Sequence, residues 1–161
     1  MALASEGIVS GYPNGTFKPH MPVTRVEALK FIMEGIQASL DDGSLPFSDV
    51  SKSEWYAKYL YTAYDKGIVS GNPDGTFRPA DTVNKAEFYK ILFNGMGVDI
   101  NPNVDEDPFE DVSKDEWFAP YIAYAKEIGL IRPDVKQFNP SRGMSRGEVA
   151  YAIWKLLEIV E

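Results

Sequence analysis

Three basic residues stand one position after a helix-starting signal: Thr24-Arg25-Val26-Glu27, Asn84-Lys85-Ala86-Glu87 and Ser145-Arg146-Gly147-Glu148. Each tetrad opens on a strong N-cap residue and carries Glu at the third helical position, so a capping box accounts for its outer residues. The basic residue is left over. A cation in the first helical turn opposes the helix dipole by roughly 0.3–1 kcal/mol, yet the position is basic in all three copies. Two chemistries fit it. With the free N–H groups of the helix start, the side chain makes a compact anion site suited to a carboxylate. Alternatively, it pairs with an acidic residue of the neighbouring copy.

Other catalytic and metal chemistries are thinly supplied. The chain has no cysteine and one histidine, His20, which excludes thiol catalysis, Cys- or His-based zinc sites and His-containing triads. Carboxylates are plentiful, but every recurring Glu serves a capping box and no acid/base pair stands apart from the repeat, against glycoside hydrolysis. The chain is therefore read as non-catalytic, needing no cofactor. One segment has calcium-loop spacing: Asp99, Asn101, Asn103, Asp105, Asp107 and Glu110 place side-chain oxygens at positions 1, 3, 5, 7, 9 and 12. Val104 sits where an EF-hand needs Gly, and two prolines stiffen the loop. A solvated acidic linker is the competing reading of this stretch, with a looser calcium site at Asp99, Asn101, Asn103 and Asp105 as the alternative.

These residues are carried by a repeat. Gly7-Ile8-Val9-Ser10-Gly11-Tyr12-Pro13-Asn14-Gly15-Thr16-Phe17 returns 60 residues later as Gly67-Ile68-Val69-Ser70-Gly71-Asn72-Pro73-Asp74-Gly75-Thr76-Phe77, with a worn third copy from Gly129 to Phe138. Pro, Asn or Asp, and Gly are turn residues, and Phe17, Phe77 and Phe138 are expected in the core. The third copy is one residue shorter, so its turn must differ. A second motif, Pro46-Phe47-Ser48-Asp49-Val50-Ser51-Lys52-Ser53-Glu54-Trp55, recurs from Pro108 to Trp117. Ser51 with Glu54 and Ser113 with Glu116 have capping-box spacing, predicting helices over 53–66 and 115–128 whose buried faces include Trp55 and Trp117. Long helices are predicted from the three tetrads to about Leu40, Met96 and Ile159. The first copy lacks a Trp-bearing helix, so the array reads as about two and a half repeats: 1–40, 41–98 and 99–161, together one compact domain.

Composition is that of a globular chain, with 44% hydrophobic and 25% charged residues. Net charge of −8, from 16 basic and 24 acidic residues, argues against nucleic acid and anionic membranes. No apolar run approaches the roughly 18 residues of a membrane-spanning helix.

Phe-x-Asp-Val before Trp, the Gly-Ile-Val-Ser-Gly turn and the Thr-Arg-x-Glu tetrad, in fixed order, resemble the S-layer homology (SLH) domain family over nearly the whole chain. The resemblance implies an all-α fold, in which tandem helix-loop-helix repeats form a pseudo-threefold bundle. It also implies an extracellular place at the bacterial cell wall, anchored non-covalently to pyruvylated secondary cell-wall polysaccharide in grooves between repeats. On that reading Arg25, Lys85 and Arg146 supply charge and Trp55 and Trp117 are walls, although their place on an apolar helix face makes core packing the default for both indoles. Asp49 and Asp111 either bond a sugar hydroxyl or stabilise a turn. Gly15, Thr16, Gly75 and Thr76 allow close backbone approach, which turn chemistry also explains. Lys85 replaces the family arginine with a point charge, so its groove is expected to bind more weakly or to bind something else. A calcium-dependent assembly module is the alternative function, and self-association that completes the missing first helix is a further expectation.

Overall fold

The computed structural model describes residues 20–160, which form five helices and no strand: α1 (Arg25–Gly35), α2 (Ala57–Asp65), α3 (Lys85–Met96), α4 (Ala119–Glu127) and α5 (Arg146–Val160). The all-α expectation holds. α1, α3 and α5 are the long helices that the tetrads start, and the tetrad serine or threonine caps as its spacing dictates. Thr24 accepts from the Glu27 amide at 3.2 Å while Glu27 returns to the Thr24 amide at 2.9 Å. Ser145 and Glu148 repeat the exchange at 3.2 and 3.0 Å. Asn84 caps Glu87, but the Glu87 carboxylate leaves the box for another partner described below. α1 is shorter than expected, stopping at Gly35, because the chain turns at Gln37 with φ of 55°.

The short helices depart from expectation in their start. Glu54 N–H donates to the Ser51 carbonyl and Ala57 N–H to the Glu54 carbonyl, at 3.2 and 3.1 Å. These successive turns delay α2 to Ala57, and no capping box forms. Ser51 Oγ instead accepts from Ser53 N–H. The second copy is alike, with Glu116 N–H on Ser113, Ala119 N–H on Glu116 and α4 delayed to Ala119. Trp55 and Trp117 therefore precede their helices and fall off the buried face. The rest of that face is as predicted: Leu60, Ala63, Ile122 and Ala125 are fully buried.

One core runs through the described residues. α2 packs on α1, α4 on α3, and α1 also meets α3 and α5. Phe77 and Phe138 are 0% and 1% exposed, each worth about 1.5–3 kcal/mol of apolar burial; Phe17 lies outside the described residues. Phe47 lies against Phe77 at 5.4 Å between ring centroids, and Phe109 stacks on Phe138 at 5.7 Å. The helix starts are joined at the centre by main-chain hydrogen bonds in a closed ring. Val23 N–H donates to Met144 O, Met144 to Val83 O and Val83 to Val23 O, at 3.0, 2.9 and 2.9 Å. The three bonds relate the repeats by approximate threefold symmetry.

The glycine turn is built as its residues require. Gly75 has φ of 85° and donates to Asn72 O at 3.0 Å, while Asp74 Oδ1 holds both the amide and hydroxyl of Thr76. Gly71 has φ of 80°, and a Cβ there would meet Phe47 Cε1 at 2.2 Å, whereas one at Gly75 would meet nothing within 4 Å. Gly75→Ala is expected to cost about 1 kcal/mol for backbone strain alone, and Gly71→Ala about 1–3 kcal/mol more because Phe47 must also move. Urea denaturation of the two variants measures the difference, and equal losses would show that the Phe47 contact carries no weight.

Candidate functional site

The first-turn amides of the long helices are taken up by neighbouring repeats. Arg25 N–H donates to Asp81 O and Val26 N–H to Pro79 O, while Lys85 and Ala86 donate to Arg142 O and Pro140 O, at 2.8 to 3.3 Å. Arg146 N–H donates to Met21 O at 2.9 Å. The free N–H groups on which a helix-start anion site depends are thus absent at Arg25 and Lys85, because the main chain of the next repeat occupies them.

The basic side chains divide into two kinds. Arg25 is 9% exposed; its guanidinium donates from Nε to Phe77 O at 3.0 Å, lies 4.7 Å over the Phe77 ring and pairs with Glu87 of the next long helix. Arg146 is 5% exposed, 5.0 Å over Phe31 and 3.9 Å from Glu27. Both therefore realise the ion-pair reading, each tying its repeat to another through the capping Glu. Lys85 does not follow. Its corresponding acid, Glu148, is taken in a fork by Arg142 at 2.5 and 3.3 Å, and the Lys85 ammonium sits 4.3 Å over Phe138 with no carboxylate partner among the described residues. Burial, and then the Arg142 charge, push the Lys85 pKa down. Burial would raise the Glu148 carboxyl, but bonds from Arg142 and Ser145 leave it below its usual value. Arg142 was invisible to repeat comparison because Met21 and Asp81 occupy its register in the other copies.

Two clefts open beside these residues. The first holds about 130 Å³ where the three repeats meet, lined by Arg25 of the first, Glu87, Lys90 and the Ser70–Asn72 loop of the second, and Trp117 of the third. The second, about 440 Å³, is lined by Lys85, Tyr89, Gly129–Arg132, Met144, Glu148 and Tyr151. Burial, together with nearby Glu148, raises the Tyr89 hydroxyl far above its ordinary value, so it stays protonated. The two clefts are related by the repeat, Lys85 replacing Arg25 and Tyr151 replacing Lys90. Only the first has an indole wall.

Of the remaining predicted residues, Trp55 and Trp117 are each 55% exposed, so the core-packing alternative fails for both. Asp49 spends both oxygens on the Phe77 and Arg78 amides, at 2.9 and 2.8 Å. Asp111 does the same for Phe138 and Asn139. Each carboxylate secures a non-glycine residue in the left-handed region, Arg78 and Asn139 both at φ of 59°, which decides for turn stabilisation. Gly75 and Thr76 form the turn tip away from the cleft lining, where Ser70, Gly71 and Asn72 stand instead. Gly15 and Thr16 lie outside the described residues. In the acidic stretch, Asn101 Oδ1 accepts from the Asn103 amide, and no three His, Cys, Asp or Glu side chains converge among the described residues.

The sequence matches the model of the S-layer homology domain over residues 1–29, 46–88 and 108–150. The chain belongs to the S-layer homology domain family. It is 30% identical to exoglucanase XynX of Acetivibrio thermocellus, over 97% of this chain and 15% of that one. It is 29% identical to the cellulosome-anchoring protein of the same organism, over 93% of this chain and 35% of the relative. With S-layer protein EA1 of Bacillus anthracis it shares 24% over 94% and 18%. The chain thus spans a small part of each relative, and the likeness to a relative named as an enzyme lies in its S-layer homology stretch. Relatives that are surface-layer and cell-surface proteins place this domain outside the cell, at the bacterial surface. No helix among the described residues is long and apolar enough to cross a membrane.

Lys85 gives the S-layer homology repeats a pH signature. A lysine whose folded pKa is depressed destabilises the fold while charged, and that penalty is relieved as pH rises through the folded value towards the ordinary lysine value of 10.5. Lys85→Met is expected to melt higher than wild type at pH 7, with the difference shrinking in thermal melts stepped towards pH 10.5.

Proposed function

We propose that this chain is a non-catalytic cell-envelope anchoring module that binds an anionic, pyruvylated secondary cell-wall polysaccharide in the clefts between its repeats. The observation that carries the reading is the exposed indole of Trp117 on the wall of an inter-repeat cleft. A large aromatic ring costs free energy when left in water, and its amphipathic body suits the C–H face of a sugar. Polar groups that fix orientation stand beside it in Ser70 and Asn72. The names of two relatives, cellulosome-anchoring protein and S-layer protein EA1, point to the same role. In the second cleft the Lys85 ammonium makes no direct ion pair among the described residues, because Glu148 is held by Arg142, which supports that cleft as a second anion site of different shape.

Co-sedimentation with purified cell-wall sacculi, before and after extraction of the secondary polymer, tests this. Wild type is expected to sediment with intact sacculi only, and Trp117→Ala to bind about tenfold more weakly, a loss of about 1.4 kcal/mol. Trp117 is chosen over Arg25 because removing Arg25 would strand Glu87 and disturb the fold. Equal sedimentation in all conditions removes the polysaccharide reading.

A second reading, self-association in a surface assembly, is favoured by Trp154. It occupies the register of Met33 and Phe93, which are 1% and 0% exposed beneath the short helices, yet it is 36% exposed beside Tyr151 at 52%. A partner copy that covers this face would bury both rings. Sedimentation velocity of wild type and Trp154→Glu, each with and without EDTA, separates the cases. Self-association through α5 gives a wild-type dimer that the variant abolishes. Calcium dependence through the 99–105 stretch gives a dimer that EDTA dissolves.

A further inference from the structure

At the first position of each long helix stands a cation that a bound acidic sugar could meet, but two of those three side chains, Arg25 and Arg146, are committed to protein. A different lysine recurs beside the exposed indoles, and Lys90 with Trp117 lines the first cleft. Lys90 Nζ stands 5.4 Å from the Trp117 ring centroid, and Lys30 Nζ stands 5.8 Å from Trp55. The two lysines share one register, five residues after Arg25 and Lys85 respectively, and 60 residues apart. Their indoles are equally exposed, at 55%. Each indole meets the aromatic residue after it edge-on, Trp117 on Phe118 at 84° and Trp55 on Tyr56 at 90°, which holds the ring while leaving a broad surface open. Lys90 has no carboxylate partner among the described residues, and Lys30 has only Glu34, at 3.8 Å on its own helix.

Resting on the glycan reading above, we propose that Lys90 with Trp117, and Lys30 with Trp55, form the contact for an anionic sugar residue. The indole receives the apolar face of the pyranose and the ammonium its acid group. In a chain of net charge −8, an ammonium beside an open aromatic wall, unpaired at Lys90 and only loosely paired with Glu34 at Lys30, selects an acidic pyranose over a neutral one. Arg25 is then a positioning residue, holding α1 against α3 so that the cleft keeps its shape. The third copy has Tyr151 at the lysine register, so its cleft recognises its ligand differently. An acid group of this kind comes from a carboxylate or from a phosphodiester, and the two respond differently to amidation.

The test uses the whole chain with intact sacculi, and with sacculi whose carboxylates have been amidated by carbodiimide coupling to methylamine. Lys30→Gln/Lys90→Gln is expected to keep the wild-type melting temperature and to bind intact sacculi at least tenfold more weakly. Lys30→Arg/Lys90→Arg is expected to restore binding. Wild-type binding that falls on amidation identifies a carboxylate, and binding that persists but still needs the lysines identifies a phosphate. A glutamine variant that melts and binds like wild type overturns the lysine assignment and leaves the glycan reading intact. Wild type that ignores intact sacculi overturns the glycan reading, and this assignment with it.

Discussion

Everything else in the molecule hangs on the ring of main-chain hydrogen bonds among Val23, Met144 and Val83. Three peptide groups from sequence-distant repeats satisfy one another, and unmaking any bond would strand a buried donor and acceptor at about 1–3 kcal/mol. The ring brings the three long-helix starts together. Their orphan first-turn amides, which a solvent-facing helix would offer to water or an anion, are consumed by the carbonyls of Asp81, Pro79, Arg142 and Pro140.

That closure decides the electrostatics. With the amides occupied, the basic side chain at each helix start extends along the seam towards the capping Glu of another repeat. Arg25 reaches Glu87 and Arg146 approaches Glu27, each guanidinium also lying over a phenylalanine. A capping Glu therefore serves two masters, and Glu87 serves only the arginine. At the third seam the shorter, single-pointed Lys85 leaves its acid to Arg142. A planar fork holds a carboxylate better than an ammonium does, so one substitution and one compensating arginine make this seam unlike the others. The clefts that flank the seams inherit the difference: one is small and walled by Trp117, the other larger, with Tyr151 and an unpaired ammonium.

Much of the fold was legible because local chemistry and tertiary structure agree. Thr24 and Ser145 cap as their spacing predicts, Phe77 and Phe138 are core, and Gly75 adopts the left-handed turn. The misread capping boxes at Ser51 and Ser113 show the limit. Ser-x-x-Glu is also compatible with a tight turn, and only the path that docks Phe47 on Phe77 and Phe109 on Phe138 selects the turn over the helix. Delaying those helices moved both tryptophans from the core to the surface, Trp117 onto a cleft wall. Asp49 and Asp111 stood open between sugar binding and turn stabilisation for a related reason: the partners that decide for the turn, the amides of Phe77 and Phe138, lie 28 and 27 residues away.

The sequence by itself determined the repeat, its register, the long-helix starts, the turn residues and the family, because all of these depend on side-chain preferences within a few neighbouring positions or on direct self-similarity. The tertiary structure alone decided which cations are spent. Whether Arg25 or Lys90 faces a ligand depends on where Glu87 and Trp117 are brought from elsewhere in the chain, and no spacing rule reaches across that distance. Two of the recurring basic residues, Arg25 and Arg146, are latches between repeats, and Lys90, five residues after Lys85, stands in the open cleft.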